Sequence, residues 1–209
     1  MVKLLVVDPH PIVSKGLELI FDTTRDISFI GTLSDGEAIF DFIKQTTVDV
    51  ILCEIDLPKL NGITALRRIK KEFPEIKVVI YSAQPEEVYA LNTIKLGASG
   101  YISKTTDIIT VKDAIMKAYN GGTYLSESMV ARVTKNRKGS STGGSFHKKL
   151  STREIEVLKL LSSGRRNKEI AKELAINEKT VSTYRARLMK KLNVTNLVDL
   201  VSQANQLEL

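Results

Sequence analysis

Four polar residues each follow a short apolar run in the first half of the chain. Asp8 follows LLVV, Glu54 follows VILC, Ser82 follows VVIY and Lys104 follows GYIS. Carboxylates are the ligands that hard divalent cations prefer, while a hydroxyl and an ammonium group bind phosphate oxygens. If the fold brings these side chains together, they form a set suited to a divalent cation and a phosphoryl group.

The apolar runs before these residues predict β-strands, because they are short and alternate with longer amphipathic segments typical of helices. Five such units predict a doubly wound α/β fold, with a five-stranded parallel sheet and helices on both faces. The carboxyl ends of parallel strands share one edge, so the four polar residues are expected to meet there. The predicted strands are 3–7, 28–32, 50–53, 78–81 and 100–103, and the predicted helices are 12–21, 36–44, 63–73, 86–96 and 109–120.

Residues 3 to about 120 resemble a receiver domain of the NarL/FixJ response-regulator family. The segments that carry the resemblance are LLVVDPHPIVSKGL, DVILCEIDLPKLNG, VVIYSA and LGASGYISK. It implies the flavodoxin-like receiver fold and a role for each matching position. Asp8 matches the first residue of an acidic pair, Glu54 the phosphoacceptor, Ser82 the switch hydroxyl, Tyr101 the switch aromatic, Lys104 the invariant lysine and Asp56 the residue whose carbonyl binds the metal.

Two positions depart from the pattern that the resemblance implies. Glu54 stands where aspartate is expected, and Pro9 replaces the second acidic residue, normally a magnesium ligand. Magnesium requires near-ideal octahedral oxygen geometry, so Asp8 and Glu54 are expected to form at most a weak Mg²⁺ site, and no cofactor is predicted. The extra methylene of Glu54 shifts its carboxylate by about 1 Å, which can reduce a rate about a hundredfold. We expect no conventional phosphorylation of this receiver.

Three interpretations of Glu54 are open. Its longer side chain can bring a negative charge close to Lys104, imitate a phosphoryl group and favour an active-like arrangement of Ser82 and Tyr101. Alternatively, Glu54 forms an inert ion pair with Lys104. In the third interpretation, Glu54 or Asp56 is phosphorylated. An engineered replacement of aspartate by glutamate would also explain Glu54. Pro9 argues against it, because a phosphomimetic design has no need to remove the neighbouring metal ligand.

The positive charge of the chain lies in its C-terminal part. Residues 1–129 carry 14 Lys and Arg against 17 Asp and Glu, a net charge of −3, whereas residues 130–209 carry 17 against 7, a net charge of +10. This asymmetry is typical of a polyanion-binding module joined to a domain without that function. The segment TKNRKGSSTGGSFHKK, at 134–149, has the composition of a flexible linker. The predicted organisation is a receiver domain at 1–130, a linker at 131–148 and a smaller all-α domain at 149–209.

Helix signals divide the C-terminal domain into four segments. Ser151 and Glu154 form a capping box before a helix whose apolar face carries Ile155, Leu158 and Leu161, and Ser163-Gly164 ends it. Asn167 and Asn177 are the expected caps of the next two helices, which the turn at 175–177 joins into a helix-turn-helix. In the last helix, 198–207, the predicted apolar stripe is Val198, Val201, Ala204 and Leu207, suited to packing or self-association.

The third of these helices, 178–192, decides the expected chemistry. Residues 149–192 resemble the LuxR-type DNA-binding domain, with the matching runs LSTREIEVL, NKEIA and TV. The resemblance places Ser182, Thr183 and Ala186 at base-facing positions, whereas Ser182 replaces a frequent lysine and Tyr184 a frequent histidine, so the DNA sequence preference does not transfer. The predicted DNA-binding residues are Lys168, Lys179, Thr180, Ser182, Thr183, Arg185, Ala186, Arg187 and Lys190, with Lys168, Lys179, Arg187 and Lys190 assigned to phosphates.

The combined prediction is a cytoplasmic bacterial transcription regulator that binds double-stranded DNA as a homodimer, with a sensor kinase or another regulatory protein as a further partner. No apolar stretch approaches the roughly 20 residues of a membrane span. An enzyme is not predicted, because the strand-end site has no nucleophile or base beyond the altered acceptor. Cys53 is expected to be a core residue. The other hypothesis is a protein-interaction adaptor or phosphorelay receiver whose DNA-binding domain is vestigial.

Overall fold

The structure, a computed structural model, describes residues 1–137, 150–174 and 176–206. It contains two compact units, Met1–Gly139 and Ser140–Leu209, each of which is described by itself. The strands of the first unit are β1 (Val2–Val7), β2 (Ile27–Leu33), β3 (Val50–Cys53), β4 (Lys77–Ser82) and β5 (Gly100–Ser103). Its helices are α1 (Pro11–Phe21), α2 (Ala38–Gln45), α3 (Gly62–Glu72), α4 (Glu86–Lys95), α5 (Ile108–Tyr119) and α6 (Glu127–Arg137).

The five strands form one parallel sheet in the order β2-β1-β3-β4-β5. Val50, Ile51, Leu52 and Cys53 are all fully buried, as expected for a central strand covered on both faces. One face is covered by α1 and α5, through core residues that include Phe21 and Ile115. The predicted doubly wound α/β fold is therefore confirmed, and Cys53 is a buried core residue as expected.

Helix α6 was not predicted, and it includes the first residues of the segment assigned to the linker at 131–148. Residues 138–149, which hold the rest of that segment, lie outside the described residues. The helix is fixed near its start by Met129, whose side chain is buried. A linker composition over 134–149 could not reveal this helix, because its anchor precedes the Gly- and Ser-rich part.

The second unit contains α7 (Thr152–Ser162), α8 (Asn167–Glu173), α9 (Glu178–Leu192) and α10 (Leu197–Gln206). The capping box of Ser151 and Glu154 is present, and Asn177 caps α9 by accepting a hydrogen bond from the Thr180 backbone N–H. The predicted turn at 175–177 includes residue 175, which lies outside the described residues. The buried core residues are Leu150, Ile155, Val157, Leu158, Leu161, Ile170, Ala171, Leu174, Val181, Leu188, Leu192, Leu200 and Ala204.

Two predictions for this unit were wrong. The N-cap of α8 is Arg166, so Asn167 is the first helical residue and its side chain is not the cap. In α10 the core is formed by Leu200 and Ala204, whereas Val198 is 77% exposed. The sequence of this short helix allows either Val198 or Leu200 to lie on the buried face. Leu200 is the buried residue, because α10 packs against α7 and α9 on that side. Leu207 lies outside the described residues, and no helix in the described ranges is long and apolar enough to cross a membrane.

Candidate functional site

The four strand-end residues meet at the carboxyl edge of the sheet, as the strand order requires. Asp8 and Glu54 are both 3% exposed, and Ser82 is fully buried. Lys104 joins the two acids, because its Nζ lies 2.5 Å from Asp8 Oδ2 and 2.7 Å from Glu54 Oε2. Burial opposes the charge of Lys104, but hydrogen bonds with Asp8 and Glu54 outweigh it and raise the pKa of Lys104.

The other carboxylate oxygen of Glu54, Oε1, is also engaged. It accepts hydrogen bonds from the Ser82 hydroxyl, from the Ile55 backbone N–H at 2.5 Å and from the Asp56 backbone N–H at 3.3 Å. These donors and Lys104 use both oxygens of the carboxylate. Glu54 therefore holds its negative charge in a fixed position inside the site.

Gly62 explains why the loop after β3 can close over Glu54. A Cβ at position 62 would overlap the carbonyl oxygen of Glu54, so any other residue would push the loop away. The Gly62 N–H donates to the Ile55 carbonyl at 2.9 Å. Asn61 then caps α3 by accepting from the Ile63 N–H at 2.9 Å.

His10 is a member of the site that the sequence prediction missed. Its backbone N–H donates to Asp8 Oδ1 at 2.9 Å, and its ring Nδ1 lies 2.9 Å from the same oxygen. The ring nitrogen also lies 3.4 Å from Lys104 Nζ. Its position two residues after Asp8, just before α1, was the available signal, since a carboxylate commonly accepts from the backbone two residues later.

The predicted switch residues are connected through Gln84. The Tyr101 hydroxyl donates to the Gln84 carbonyl at 2.7 Å, and the Gln84 N–H donates to Ser82 Oγ at 3.2 Å. The Gln84 side chain donates to Asp56 Oδ2 at 2.5 Å. Tyr101 is 1% exposed, and this burial raises its pKa. The assignment of the Asp56 carbonyl to a metal remains a prediction.

Helix α6 is anchored to the start of α4, close in sequence to Gln84. Glu86, the first residue of α4, accepts hydrogen bonds from the Ser126 hydroxyl at 2.7 Å and the Ser128 hydroxyl at 2.6 Å. Tyr124 extends the edge of the sheet, because its N–H donates to the Ser99 carbonyl at 2.9 Å. These contacts join the start of α6 to Glu86, which lies two residues after Gln84 in the sequence.

In the second unit, α9 presents most of the predicted DNA-binding residues to solvent. Two are only partly exposed: Arg185, and Thr180, whose hydroxyl donates to Asn177 Oδ1 at 2.8 Å as part of the cap. Arg165 and Arg166, between α7 and α8, are exposed basic residues that the prediction left out. The exposed predicted residues are Lys168, Lys179, Ser182, Thr183, Ala186, Arg187 and Lys190.

Two polar contacts hold α7 against the helix-turn-helix. Lys191 of α9 lies 2.7 Å from Glu154 Oε2, which also accepts from the Ser151 N–H at 2.7 Å. Burial opposes the charge of Glu154, but hydrogen bonds from Lys191 and Ser151 outweigh it and lower its pKa. Arg153 donates to the Leu174 carbonyl at the end of α8, at 2.5 Å. The exposed face of α9 therefore rests on a fixed scaffold.

Both halves of the chain match known families. Residues 4–116 match the response regulator receiver domain, and residues 148–204 match the bacterial regulatory proteins of the luxR family. The chain belongs to the NarL/FixJ family of response regulators. It is a two-component response regulator with a transcription-factor architecture and a LuxR-type DNA-binding domain.

Similar response regulators cover nearly the whole chain. The Fimbriae Z protein of Salmonella typhimurium is 29% identical over 98% of this chain and 97% of its own length. The transcriptional regulatory protein MctR of Rhizobium johnstonii is 33% identical, over 97% and 92%. RcsB from Salmonella enterica serovar Typhimurium, solved bound to promoter rprA with the phosphomimetic BeF3−, is 24% identical over 96% and 98%, with a TM-score of 0.75. The likeness to RcsB shows the shared fold.

Receiver domains of response regulators imply a bound Mg²⁺, and the residues of this receiver do not fit one. Pro9 offers no side-chain oxygen at the position of the second acidic residue. Asp8 contacts His10 with one oxygen and Lys104 with the other, and Glu54 is engaged at both oxygens. Within residues 1–137, 150–174 and 176–206, no three His, Cys, Asp or Glu side chains are grouped to hold a metal.

Proposed function

We propose that this response regulator controls transcription in the cytoplasm, binds double-stranded DNA as a homodimer, and has a receiver that works without phosphorylation. The contact of Glu54 with Lys104, at 2.7 Å, carries the proposal. It sets a carboxylate beside the lysine without any phosphodonor, at the position where the family carries its phosphoryl group. A regulatory partner would then act by binding, and a sensor kinase remains a prediction.

The hydrogen bonds around Glu54 favour charge imitation over an inert ion pair. An ion pair alone would leave the switch residues unaffected, but Glu54 also accepts from the Ser82 hydroxyl. Ser82 Oγ in turn accepts from the Gln84 N–H, and the Gln84 carbonyl accepts from Tyr101. The charge is thus linked to both switch residues by consecutive hydrogen bonds. Phosphorylation of Glu54 is disfavoured, because both of its oxygens are already engaged.

The anchoring of α6 supports a route from the receiver to the DNA-binding domain. Gln84 and Glu86 are two residues apart, and Glu86 accepts from Ser126 and Ser128. In the proposed route, a change at Ser82 would reach α6, the segment that leads out of the receiver, through these neighbouring residues. By thermodynamic linkage, the state of the receiver then sets dimerisation or release of the DNA-binding domain. A dimer places two recognition helices about one DNA turn apart, and RcsB has been solved as dimers bound to DNA.

Phosphodonors test the receiver directly. We expect acetyl phosphate with Mg²⁺ to give the wild-type protein no phosphoryl adduct, and beryllium fluoride with Mg²⁺ to leave its oligomeric state unchanged. The double variant Pro9→Asp/Glu54→Asp restores the missing ligand and the shorter acceptor, so it should become labelled when Mg²⁺ is present. Intact-mass spectrometry and light scattering measure both results. A stable adduct on the wild-type protein would overturn phosphorylation independence.

The charge of Glu54 is tested by Glu54→Gln, which keeps the size of the side chain and removes its charge. Because the carboxylate orders Ser82 and Lys104, we expect the neutral amide to weaken DNA binding and dimerisation at least about fivefold, the lower end of allosteric coupling. Glu72→Gln, at an exposed position of α3, is the matched control and should change neither. If Glu54→Gln behaves like this control, Glu54 forms only an inert ion pair.

A further inference from the structure

Asn167 and Ser182 join the two helices of the helix-turn-helix by a side-chain hydrogen bond. Asn167 Nδ2 lies 3.1 Å from Ser182 Oγ, and Ser182 is exposed on the recognition helix α9. We infer that Asn167 is a specificity-determining positioning residue, which fixes the Ser182 hydroxyl so that it reads a hydrogen-bond donor on a DNA base. This inference rests on the proposed function, because it deepens the DNA binding of that same helix.

The orientation of the Ser182 hydroxyl follows from its partners. Its proton is used within the helix, where Oγ donates to the Glu178 carbonyl at 3.1 Å. Asn167 donates to one of the two lone pairs of the same oxygen. A hydroxyl has one proton and two lone pairs, so a single lone pair is left for a ligand. Ser182 is therefore an acceptor toward DNA.

The acceptor character of Ser182 predicts which bases it selects. In the major groove, the donors on base edges are the amino groups of adenine and cytosine, while guanine and thymine present acceptors to a side chain at the corresponding positions. Ser182 should favour adenine or cytosine at the base that it faces. The lysine that is frequent at this position in the family is a donor only and would favour the opposite bases.

Thr183 provides an internal comparison. Its hydroxyl also donates to a carbonyl of its own helix, that of Lys179, at 3.0 Å. The described residues contain no hydrogen bond from another helix to the Thr183 hydroxyl, so its second lone pair remains available. Asn167 therefore makes the two hydroxyls different. Ser182 keeps one lone pair for DNA, whereas Thr183 keeps two.

In vitro selection of DNA sites with the full-length protein tests the inference. The wild-type protein should prefer adenine or cytosine over guanine or thymine at one position of one DNA strand by about fivefold, near the lower end of the discrimination given by a base contact. Ser182→Ala should reduce that preference below about twofold. Asn167→Ala removes the bond that fixes the position of the Ser182 oxygen, so it should have the same effect, and the double variant should reduce the preference no further. Lys168→Ala, a neighbouring exposed position, is the control and should lower affinity equally for all sites.

The outcomes separate this inference from the proposed function. If the wild-type protein selects no DNA, the proposed function fails. If it selects a site and Asn167→Ala retains the base preference, the specificity role of Asn167 is overturned while DNA binding stands. Circular dichroism of each variant establishes folding. Should Asn167→Ala not fold, Asn167→Asp takes its place, because it keeps the size of the side chain and removes the donor to Ser182.

Discussion

Replacing Lys104 by methionine is expected to lower the free energy of unfolding of the first unit by about 3 kcal/mol at pH 7, the usual cost of breaking a buried ion pair. Lys104 contacts Asp8 and Glu54 with one nitrogen, and both acids are 3% exposed. Without the lysine, two buried carboxylates lose the ammonium group that contacts both of them. Urea denaturation of the full-length protein measures the change.

The pH dependence identifies the cause. In the wild-type protein, the pKa of Lys104 is raised from 10.5. The contribution of Lys104 to stability is fully present below that value and is lost only as the pH rises through the raised pKa. The Lys104→Met variant lacks this ammonium, so the loss of stability that its deprotonation causes at high pH should be absent from the variant.

An exposed ion pair provides the control for this substitution. Lys112 Nζ lies 2.9 Å from Asp26 Oδ2, and the Asp26 side chain is 57% exposed. The Lys112→Met variant removes this contact. Exposed pairs contribute less than about 1 kcal/mol, so this variant should unfold nearly as the wild-type protein does. Equal losses for the two lysines would show that the strand-end site has no special electrostatic role in stability.

Removing three basic residues of the recognition helix should have the largest effect on function. Lys179, Arg187 and Lys190 are exposed on α9 and are assigned to phosphates. Each phosphate contact contributes about 0.9 to the slope of log affinity against log salt, or about fivefold in affinity near 0.15 M salt. For each bound protomer, the variant Lys179→Ala/Arg187→Ala/Lys190→Ala should therefore lose about a hundredfold in DNA affinity and about 2.7 in the slope. Fluorescence anisotropy at several salt concentrations measures both quantities.

Net charge alone has to be separated from these contacts. The matched control replaces Lys71, Lys95 and Lys117, three exposed lysines of the first unit, and loses the same charge. It should keep the wild-type salt slope. A wild-type protein that fails to bind DNA even at low salt would instead favour the adaptor hypothesis, in which the DNA-binding domain is vestigial.

The fold could be predicted from the sequence because each element carries its own periodic signal. The apolar run of β3 spans 50–53 in both prediction and structure, since a strand buried on both faces is apolar at every position. Capping also had local signals, which correctly located the starts of α7 and α9. The missed start of α8 has a different cause, because Asn167 has the right residue type for a cap but makes its bond to Ser182.

The candidate receiver site was partly predictable for the same reason. Asp8, Glu54, Ser82 and Lys104 are recognisable because each ends a strand, and parallel strands bring their ends together. His10, Glu86, Ser126 and Ser128 have no such periodic position. Their partners are reached across turns or across some 40 residues of chain, so their roles depend on three-dimensional packing.

The sequence by itself determined the residues of this response regulator: a Glu54 in place of aspartate, a Pro9 without an oxygen ligand, and a basic C-terminal half. Those properties are local, since they depend on residue type and order. Only the tertiary structure decided that Glu54 contacts Lys104 and Ser82 together, and that Asn167 faces Ser182. Hydrogen bonds act over about 3 Å and require alignment, so residue order cannot specify them until the strands and helices have packed.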